Sequence, residues 1–183
     1  MKTACVLLAE GFEEVEAITP IDYLRRAGID VRVLGVSGRT VVGSHDIKID
    51  ADQGPEGLTG DYDCVVLPGG GRGADNLAAS PSVVELVRRQ FRAGKLVAAI
   101  CAAPAVVLHG ACGILQGRRF TCFPGLESKV TGASFSEDRV VVDGNLITSR
   151  SAGTAGEFSA AIAQALVGAD ASRELAGKVL LRR

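Results

Sequence analysis

Cys101 is the residue best placed in this sequence to act as a nucleophile. It follows a run of mostly small and aliphatic residues over 95–100 and precedes Ala102, Ala103 and Pro104. The apolar run predicts a buried strand, and proline is tolerated in the first turn of a helix, where its missing N–H loses no partner. Unpaired N–H groups and the positive end of the helix dipole favour the thiolate, so the pattern predicts a cysteine form of the nucleophile elbow. An inert buried thiol is the alternative, because many cysteines are small core residues.

Glu16 is the candidate proton relay. It lies between apolar residues in a helix predicted over 13–27, which begins where the first predicted strand ends. Burial and a neighbouring thiolate would raise its pKa, so that a protonated carboxyl could hydrogen-bond the sulfur and act as general acid and base. The alternative is an ordinary solvated glutamate that matches the helix dipole, which is the interpretation we give to Glu13 and Glu14.

The glycine-rich segment 68–71 is the candidate oxyanion site, because its free N–H groups can bind an anion beside the thiol. A simple tight turn is the alternative. Of the two histidines, His109 lies about 12 Å along the elbow helix from Cys101, too far for a general base. His45 could line the rim of this pocket or that of a partner subunit, and both histidines are also typical surface residues.

Alternating strands and helices predict an α/β fold with a largely parallel central sheet. Because ligands bind at the carboxyl ends of such strands, the loops 10–16, 68–73 and 101–104 are expected to meet. A β-hairpin over 40–50 is expected to lie outside the main sheet, and Asp143-Gly144-Asn145 predicts a second hairpin. The predicted strands are 3–9, 29–36, 63–67, 95–100 and 119–123, and the predicted helices are 13–27, 73–79, 81–93, the elbow helix from 104, 155–167 and 171–177.

Composition narrows the possible functions. The 183 residues predict one domain, and 47% hydrophobic with 22% charged residues is a globular balance. A net charge of −1 argues against nucleic-acid binding, and the apolar runs are too short to cross a membrane. Five cysteines without metal-ligand spacing, together with only two histidines, predict reduced thiols, a cytoplasmic location and no metal site.

Four motifs, in this order, resemble the ThiJ/PfpI superfamily, and most of all the branch of the Parkinson-linked deglycase (the DJ-1 type) and its bacterial relatives. They are Glu-Glu-Val-Glu-Ala at 13–17, Val-Val-Leu-Pro-Gly-Gly at 65–70, Ala-Ala-Ile-Cys-Ala-Ala-Pro at 98–104, and Thr-Ser-Arg at 148–150 followed by Gly153-Thr154. The resemblance extends over the whole chain, 1–183. It implies a flavodoxin-like three-layer sandwich that forms a homodimer, with the pocket near the subunit interface.

The resemblance also implies roles for individual residues. Cys101 is the reactive, easily oxidised thiol and Glu16 is its protonated partner. The remaining predicted oxyanion or substrate-binding residues are Gly70, Gly71, Ala102, Arg26 near the dimer contact, and His45. Three positions depart from the pattern of many members: Phe123 replaces a histidine, Ser151-Ala152 replaces Gly-Pro, and His45 replaces a basic residue.

Our leading hypothesis is therefore a cofactor-independent enzyme that acts on small reactive carbonyls, either as a glyoxalase or as a deglycase of glycated substrates. The second hypothesis is a protein that senses oxidation and acts through the oxidised form of Cys101, for example as a chaperone. Protease or amidase activity is disfavoured by the loss of the histidine at Phe123. A purely structural homologue is disfavoured by the intact pair of Cys101 and Glu16.

Overall fold

Ten strands and five α-helices make up the computed structural model, which describes residues 1–181. The strands are β1 (Thr3–Leu8), β2 (Asp30–Gly35), β3 (Thr40–Val42), β4 (Lys48–Asp50), β5 (Cys64–Leu67), β6 (Leu96–Ile100), β7 (Arg119–Phe120), β8 (Ser134–Phe135), β9 (Val140–Asp143) and β10 (Leu146–Ser149). The helices are α1 (Glu14–Arg26), α2 (Gly71–Ala78), α3 (Pro81–Arg92), α4 (Ala155–Val167) and α5 (Ala169–Lys178). An elbow helix (Pro104–Ala111) follows β6, and short 3₁₀ turns occupy Pro55–Thr59, Glu127–Lys129 and Ala152–Thr154.

The central sheet has the strand order β2-β1-β5-β6-β10-β9. All neighbouring strands are parallel except the edge strand β9, which pairs antiparallel with β10 through the predicted hairpin. The chain order of the five parallel strands is that of a flavodoxin-like sheet, in which connections leave β1 and β5 toward opposite faces. A crevice therefore opens at the carboxyl ends of these two strands.

Strictly alternating side chains give the sheet two hydrophobic faces. Val65 and Leu67 pack in one cluster with α2, α3 and the elbow helix, whereas Val66 packs in the other with α1, α4 and α5. Each face buries a near-continuous aliphatic layer, which is typical of parallel sheets covered on both sides. Cys101 is half-buried and contacts both clusters, so it lies where the two layers meet.

The predicted elements are largely confirmed, with shifts of one or two residues at their ends, and the predicted hairpin over 40–50 is the separate pair β3–β4. The elbow helix differs, because it is a π-helix in which the N–H of Cys112 donates to the carbonyl of Val107 at 2.8 Å. The strand predicted over 119–123 ends at Phe120. Beyond it, the N–H of Thr121 donates to the Thr148 hydroxyl, and the N–H of Phe123 donates to the carbonyl of Cys101. Because of these bonds, the segment after Phe120 no longer pairs with β8 and instead lies beside Cys101.

None of the helices within residues 1–181 combines the length and the apolar character needed to cross a bilayer.

Candidate active site

A cavity of about 360 Å³ lies at the carboxyl ends of the parallel strands. Three of the loops that line it are those expected from the sequence, and they follow β1, β5 and β6. The segment that contains Phe123 and the turn after β10 complete the wall. The lining residues are Glu13, Glu16, Gly70, Gly71, Cys101, Ala102, Phe123, Leu126, Ser151 and Ala152.

Cys101 occupies a sharp turn between β6 and the elbow helix. Its φ of 64° lies in the left-handed region, which is uncommon for a residue with a side chain and costs of order 1–3 kcal/mol. Two backbone hydrogen bonds hold this conformation, from the N–H of Cys101 to Ser149 (2.9 Å) and from the N–H of Phe123 to the carbonyl of Cys101 (2.8 Å). The turn directs the thiol into the cavity, as expected for a nucleophile elbow.

Glu16 reaches the same point from α1 and is fully buried. Its Oε2 accepts a hydrogen bond of 2.9 Å from the N–H of Gly69, which is 53 residues away in the sequence. Its Oε1 has no conventional hydrogen-bond partner among the described residues. Only glycine fits at position 69, because a Cβ there would lie 2.6 Å from the Cβ of Cys101 and 2.7 Å from Glu16 Oε2. The backbone of the loop after β5 therefore packs directly against both side chains of the pair.

The pKa of Glu16 is raised to about 7, mainly because burial penalises the carboxylate. The N–H of Gly69, the thiol of Cys101 and the N–H of Ala152 act in the opposite direction but do not compensate for burial. The expected rise in pKa is thus confirmed. A carboxyl with a pKa near 7 can both accept and donate a proton at neutral pH.

The expected lowering of the Cys101 pKa is wrong. Burial, followed by the negative charge of Glu16, raises the pKa of the Cys101 thiol to about 12. The N–H groups of Gly70 and Ala102 lower this pKa, as expected for the elbow, but two donors do not offset the loss of water and the like charge. Helix-terminal N–H groups alone therefore do not ionise this thiol.

The thiol and the carboxyl are coupled, because the charge of Glu16 raises the pKa of the Cys101 thiol, whereas the hydrogen bond from that thiol lowers the pKa of Glu16. At neutral pH the Glu16 carboxyl loses its proton before the Cys101 thiol does. An ionised Glu16 is a base beside a neutral thiol. A protonated Glu16 carries no charge to repel a thiolate at Cys101 and can donate a hydrogen bond to it. The arrangement is therefore suited to moving the thiol proton to Glu16 when sulfur attacks an electrophile.

Gly70 and Gly71 occupy the start of α2, as the sequence analysis predicts for an oxyanion site. Gly70 has a φ of 83°, and a Cβ at this position would lie 2.4 Å from the carbonyl oxygen of Gly11. The loop after β5 is therefore held tightly against the loop after β1. This contact directs the N–H of Gly70 toward the sulfur, where it joins that of Ala102.

The structure does not bring all the predicted binding residues to the cavity. Arg26 lies ten residues beyond Glu16 on α1, about 15 Å along the helix axis, where it pairs with Asp22 at 2.7 Å. His45 is exposed and does not line the cavity, although its Nδ1 lies 3.7 Å from Glu13 Oε1. Neither residue lines the cavity of this chain, because Arg26 lies at the far end of α1 and His45 is hydrogen-bonded to Glu14. His109 is also absent from the lining.

One side-chain cluster among residues 1–181 has a composition that could bind a metal. Potential ligand atoms of Glu13, Glu14 and His45 lie within 4.8 Å of one another. Hydrogen bonds account for this arrangement. The hydroxyl of Ser44 donates to Glu14 and is also hydrogen-bonded to the ring of His45, and that ring is hydrogen-bonded to Glu14. The buried Glu14 also corrects the sequence interpretation, which treated it as a solvated residue.

Sequence reasoning missed part of the wall. It did not assign a binding role to Glu13, Leu126 or the Ser151-Ala152 turn, and it treated Phe123 only as a departure from the family pattern. Ser151 and Ala152 follow the carboxyl end of β10, so the rule that ligands bind at strand ends could have identified them. Leu126 offered no comparable signal, because its place depends on how the chain leaves β7.

The sequence profile of the DJ-1/PfpI family matches residues 2–165. The chain belongs to this family. It is 42% identical over 187 residues to the Parkinson disease protein 7 homolog of Danio rerio, with 99% of this chain and 98% of that protein covered. A deglycase of Pyrococcus abyssi is 34% identical, and the alignment covers 79% of this chain and 87% of the archaeal protein.

Solved structures agree with the family assignment. The oxidized DJ-1 of Toxoplasma gondii superposes with a TM-score of 0.97 at 32% identity, with full coverage of both chains. A mutant of a DJ-1 superfamily protein from Salmonella typhimurium gives a TM-score of 0.95 at 42% identity, again with full coverage of both chains. The three-layer, flavodoxin-like fold expected from the sequence is thereby confirmed.

Proposed function

We propose that this family member converts small reactive carbonyl compounds, with Cys101 as nucleophile and Glu16 as proton relay. The observation that carries the proposal is the pairing of these two buried groups on one cavity, where Glu16 has a pKa near neutrality. The deglycase among the relatives supports the same class of chemistry. The one-domain organisation and the cofactor-independent mechanism are part of this proposal.

The reaction on methylglyoxal begins when the thiol of Cys101 adds to the aldehyde carbon. The S–C bond forms, the thiol proton moves to ionised Glu16, and the carbonyl electrons move to oxygen, which faces the N–H groups of Gly70 and Ala102. Glu16 then returns its proton to that oxygen, which gives a hemithioacetal. The carboxylate is again free to act as a base.

In the second stage, Glu16 removes the proton from the former aldehyde carbon, and the electrons of that bond convert the adjacent ketone into an enediolate. Glu16 returns this proton to the neighbouring carbon while the hydroxyl proton of the former aldehyde carbon moves to the enediolate oxygen, which gives a thioester. One carbon is oxidised and the other reduced without an external oxidant. Water hydrolyses the thioester, which releases lactate and the Cys101 thiol. The net reaction adds one water to methylglyoxal.

Production of lactate by the pure protein tests the proposal. The wild-type protein is expected to form lactate from methylglyoxal, and Cys101→Ser is expected to reduce the rate at least a hundredfold. Cys112→Ser is the matched control, because that thiol is buried outside the cavity. Equal rates for wild type and Cys101→Ser, or no lactate from wild type, would contradict the proposal.

A second candidate function is oxidation sensing. All five cysteines lie in the described part of the chain, and Cys101 is the one among them that is not fully buried. A sulfinate on Cys101 would carry oxygens toward the N–H groups of Gly70 and Ala102 and could accept a hydrogen bond from protonated Glu16. Mass spectrometry after mild peroxide treatment is expected to find added oxygen at Cys101 and not at Cys112 or Cys122.

The assembly and location are also proposals. Val15 and Ile18 are exposed apolar residues one turn apart on α1, as expected if a second copy covers this face in a homodimer. Five free cysteines fit a reducing compartment such as the cytoplasm. Light scattering of the purified protein would measure its molar mass in solution and so test the homodimer directly.

A further inference from the structure

Two hydroxyl groups are buried on either side of the turn that follows β10. Ser149, the last residue of β10, is fully buried, and Thr154, just before α4, is 4% exposed. The Oγ of Ser149 and the Oγ1 of Thr154 are 2.6 Å apart, and neither residue belongs to the cavity lining. A buried hydroxyl costs free energy unless it is hydrogen-bonded, so an apolar residue could fill this space at lower cost. Packing alone therefore does not explain the pair.

The hydrogen bonds of the pair fix the backbone of the turn. The Oγ1 of Thr154 accepts from the N–H of Ser151 at 3.1 Å and donates to the carbonyl of Ser151 at 2.7 Å. The side chain of Ser151 accepts from the N–H of Thr154 in return, which completes a capping box. The Ser149 hydroxyl also reaches the carbonyl oxygen of Arg139 at 2.8 Å. These bonds determine where Ser151 and the following Ala152 lie.

The turn is connected to both groups of the proposed mechanism. On one side, the carbonyl of Ser149 accepts from the N–H of Cys101 at 2.9 Å. On the other side, the N–H of Ala152 acts on the carboxyl of Glu16 and lowers its pKa. Ser151 and Ala152 line the cavity together with Cys101 and Glu16. A displaced turn would therefore remove one donor from Glu16 without changing any residue that contacts this carboxyl.

We propose that the hydroxyl groups of Ser149 and Thr154 position the Ser151-Ala152 turn against Glu16. The inference rests on the proposed function for its catalytic meaning. Both are positioning residues, because they act through the backbone of the turn and do not line the cavity. Such a role has a large effect when the geometry is demanding, since a displacement of about 1 Å can lower a rate by about a hundredfold.

The pKa of Glu16 provides a test that needs no turnover. NMR measures it from the pH dependence of the side-chain carboxyl signal, which is assigned by its absence from Glu16→Gln. The titratable groups that act on this carboxyl are Glu13 and Cys101, and both remain in every variant compared. Thr154→Val removes the hydroxyl and keeps the side-chain volume. We expect it to raise the pKa of Glu16 by about 0.5 or more, because the N–H of Ala152 moves away.

Three further variants separate positioning from stability. Thr154→Ser keeps the hydroxyl and is expected to restore the wild-type pKa of Glu16. Ser149→Ala should raise this pKa as Thr154→Val does, and the double variant should add little, because both hydroxyls act on one turn. Ser172→Ala is the control. It removes a buried hydroxyl that donates to Ala160 outside the cavity, so it should lower the free energy of unfolding and leave the pKa unchanged.

An unchanged pKa of Glu16 in both Thr154→Val and Ser149→Ala would overturn the inference, even if both variants lose stability. The two hydroxyls would then support the fold alone. A Thr154→Ser variant with the same pKa as Thr154→Val would contradict it equally, because the hydroxyl would not be the group that matters. Ser149→Ala decides the question by itself if Thr154→Val does not fold.

Steady-state kinetics give the second measurement. Thr154→Val should lower kcat for methylglyoxal about tenfold or more and change KM less than about threefold, because the residue does not touch the substrate. If the wild-type protein converts no carbonyl, the proposed function fails while the pKa of Glu16 still decides the inference. If carbonyls are converted and neither kcat nor this pKa depends on the two hydroxyls, the inference fails and the function stands.

Discussion

Two glutamates, two residues apart on α1, have opposite pKa shifts. Glu14 and Glu16 are both buried, yet the pKa of Glu14 is lowered to about 2 and that of Glu16 is raised to about 7. Burial raises both pKa values. At Glu14 it is outweighed by His45, through its side chain and its N–H, and by the hydroxyl of Ser44.

The difference is how far the hydrogen-bond donors of each group compensate for its burial. Three contacts of 2.7–3.1 Å from the β3–β4 loop reach Glu14 and together outweigh burial. The N–H of Gly69 reaches Glu16 at 2.9 Å, and together with the thiol of Cys101 and the N–H of Ala152 it does not compensate for burial. The outer carboxylate therefore ties the hairpin to α1, while the inner carboxyl keeps the ability to exchange a proton.

The largest expected effect comes from making the same change at both positions. Glu16→Gln should lower kcat/KM for methylglyoxal by about 10²–10⁴, because it removes the proposed general acid and base. Glu14→Gln should change it less than tenfold, since Glu14 does not line the cavity. Steady-state kinetics of both variants provide the measurement. Similar losses of kcat/KM in the two variants would show that activity does not depend on whether the carboxyl lines the cavity.

Gly69→Ala is expected to separate Glu16 from Cys101. The new Cβ would lie 2.6 Å from Cys101 Cβ and 2.7 Å from Glu16 Oε2, so one of them must move. We expect a loss of about 1–3 kcal/mol in the free energy of unfolding and a changed rate of Cys101 alkylation. Gly177→Ala, which has no neighbour within 4 Å, is the control. Unchanged alkylation would mean that the contact with Gly69 does not position the pair.

The pH dependence of stability should reveal the raised pKa of Glu16. Because the folded pKa is about 7 and the ordinary value is 4.5, the folded state retains a proton that the unfolded chain loses between these pH values. Stability is therefore lost as pH rises from 4.5 through 7, by up to about 3 kcal/mol. Urea unfolding of Glu16→Gln should show that this loss is absent. A parallel pH dependence in wild type and variant would contradict the shift.

Glu14 should show the opposite sign. Its lowered pKa contributes stability that is present above pH 4.5 and is lost as pH falls toward 2. Glu14→Gln should therefore destabilise the protein by about 1–3 kcal/mol at pH 7, because hydrogen bonds to a charged group are lost. The difference from wild type should shrink at pH 3. Urea unfolding at the two pH values measures this, and a larger difference at pH 3 would rule out the expected contribution.

The smallest expected effect concerns the loop that holds Glu14. Asp46 has a φ of 63°, a conformation that glycine adopts without strain. Asp46→Gly should raise the free energy of unfolding by up to about 1 kcal/mol if relief of strain exceeds the added chain entropy. Thermal unfolding measures the change, and a clear loss of stability would show that the aspartate side chain itself supports the loop.

The sequence predicted the sheet well because its signals are local. The aliphatic runs 64–67 and 96–100 predicted β5 and β6, and Gly28, with a φ of 78°, ended α1 where a helix cap was expected. The carboxyl-end rule then brought Glu16, Gly70 and Cys101 together correctly. The π-helical form of the elbow helix was missed, since its hydrogen bonding is fixed by packing between the sheet and α2 and leaves no mark on periodicity.

The amino-acid pattern by itself determined the parallel sheet, the turn at Cys101 and the residues that can do chemistry, because strand alternation and proline placement act over a few neighbours. Only the tertiary structure decided which carboxyl has a pKa near neutrality and in which direction the pKa of the Cys101 thiol moves. The donors to Glu14 come from 30 and 31 residues away, and the N–H of Gly69 that reaches Glu16 comes from 53 residues away. Burial is likewise set by distant segments, and burial together with donors determines a pKa.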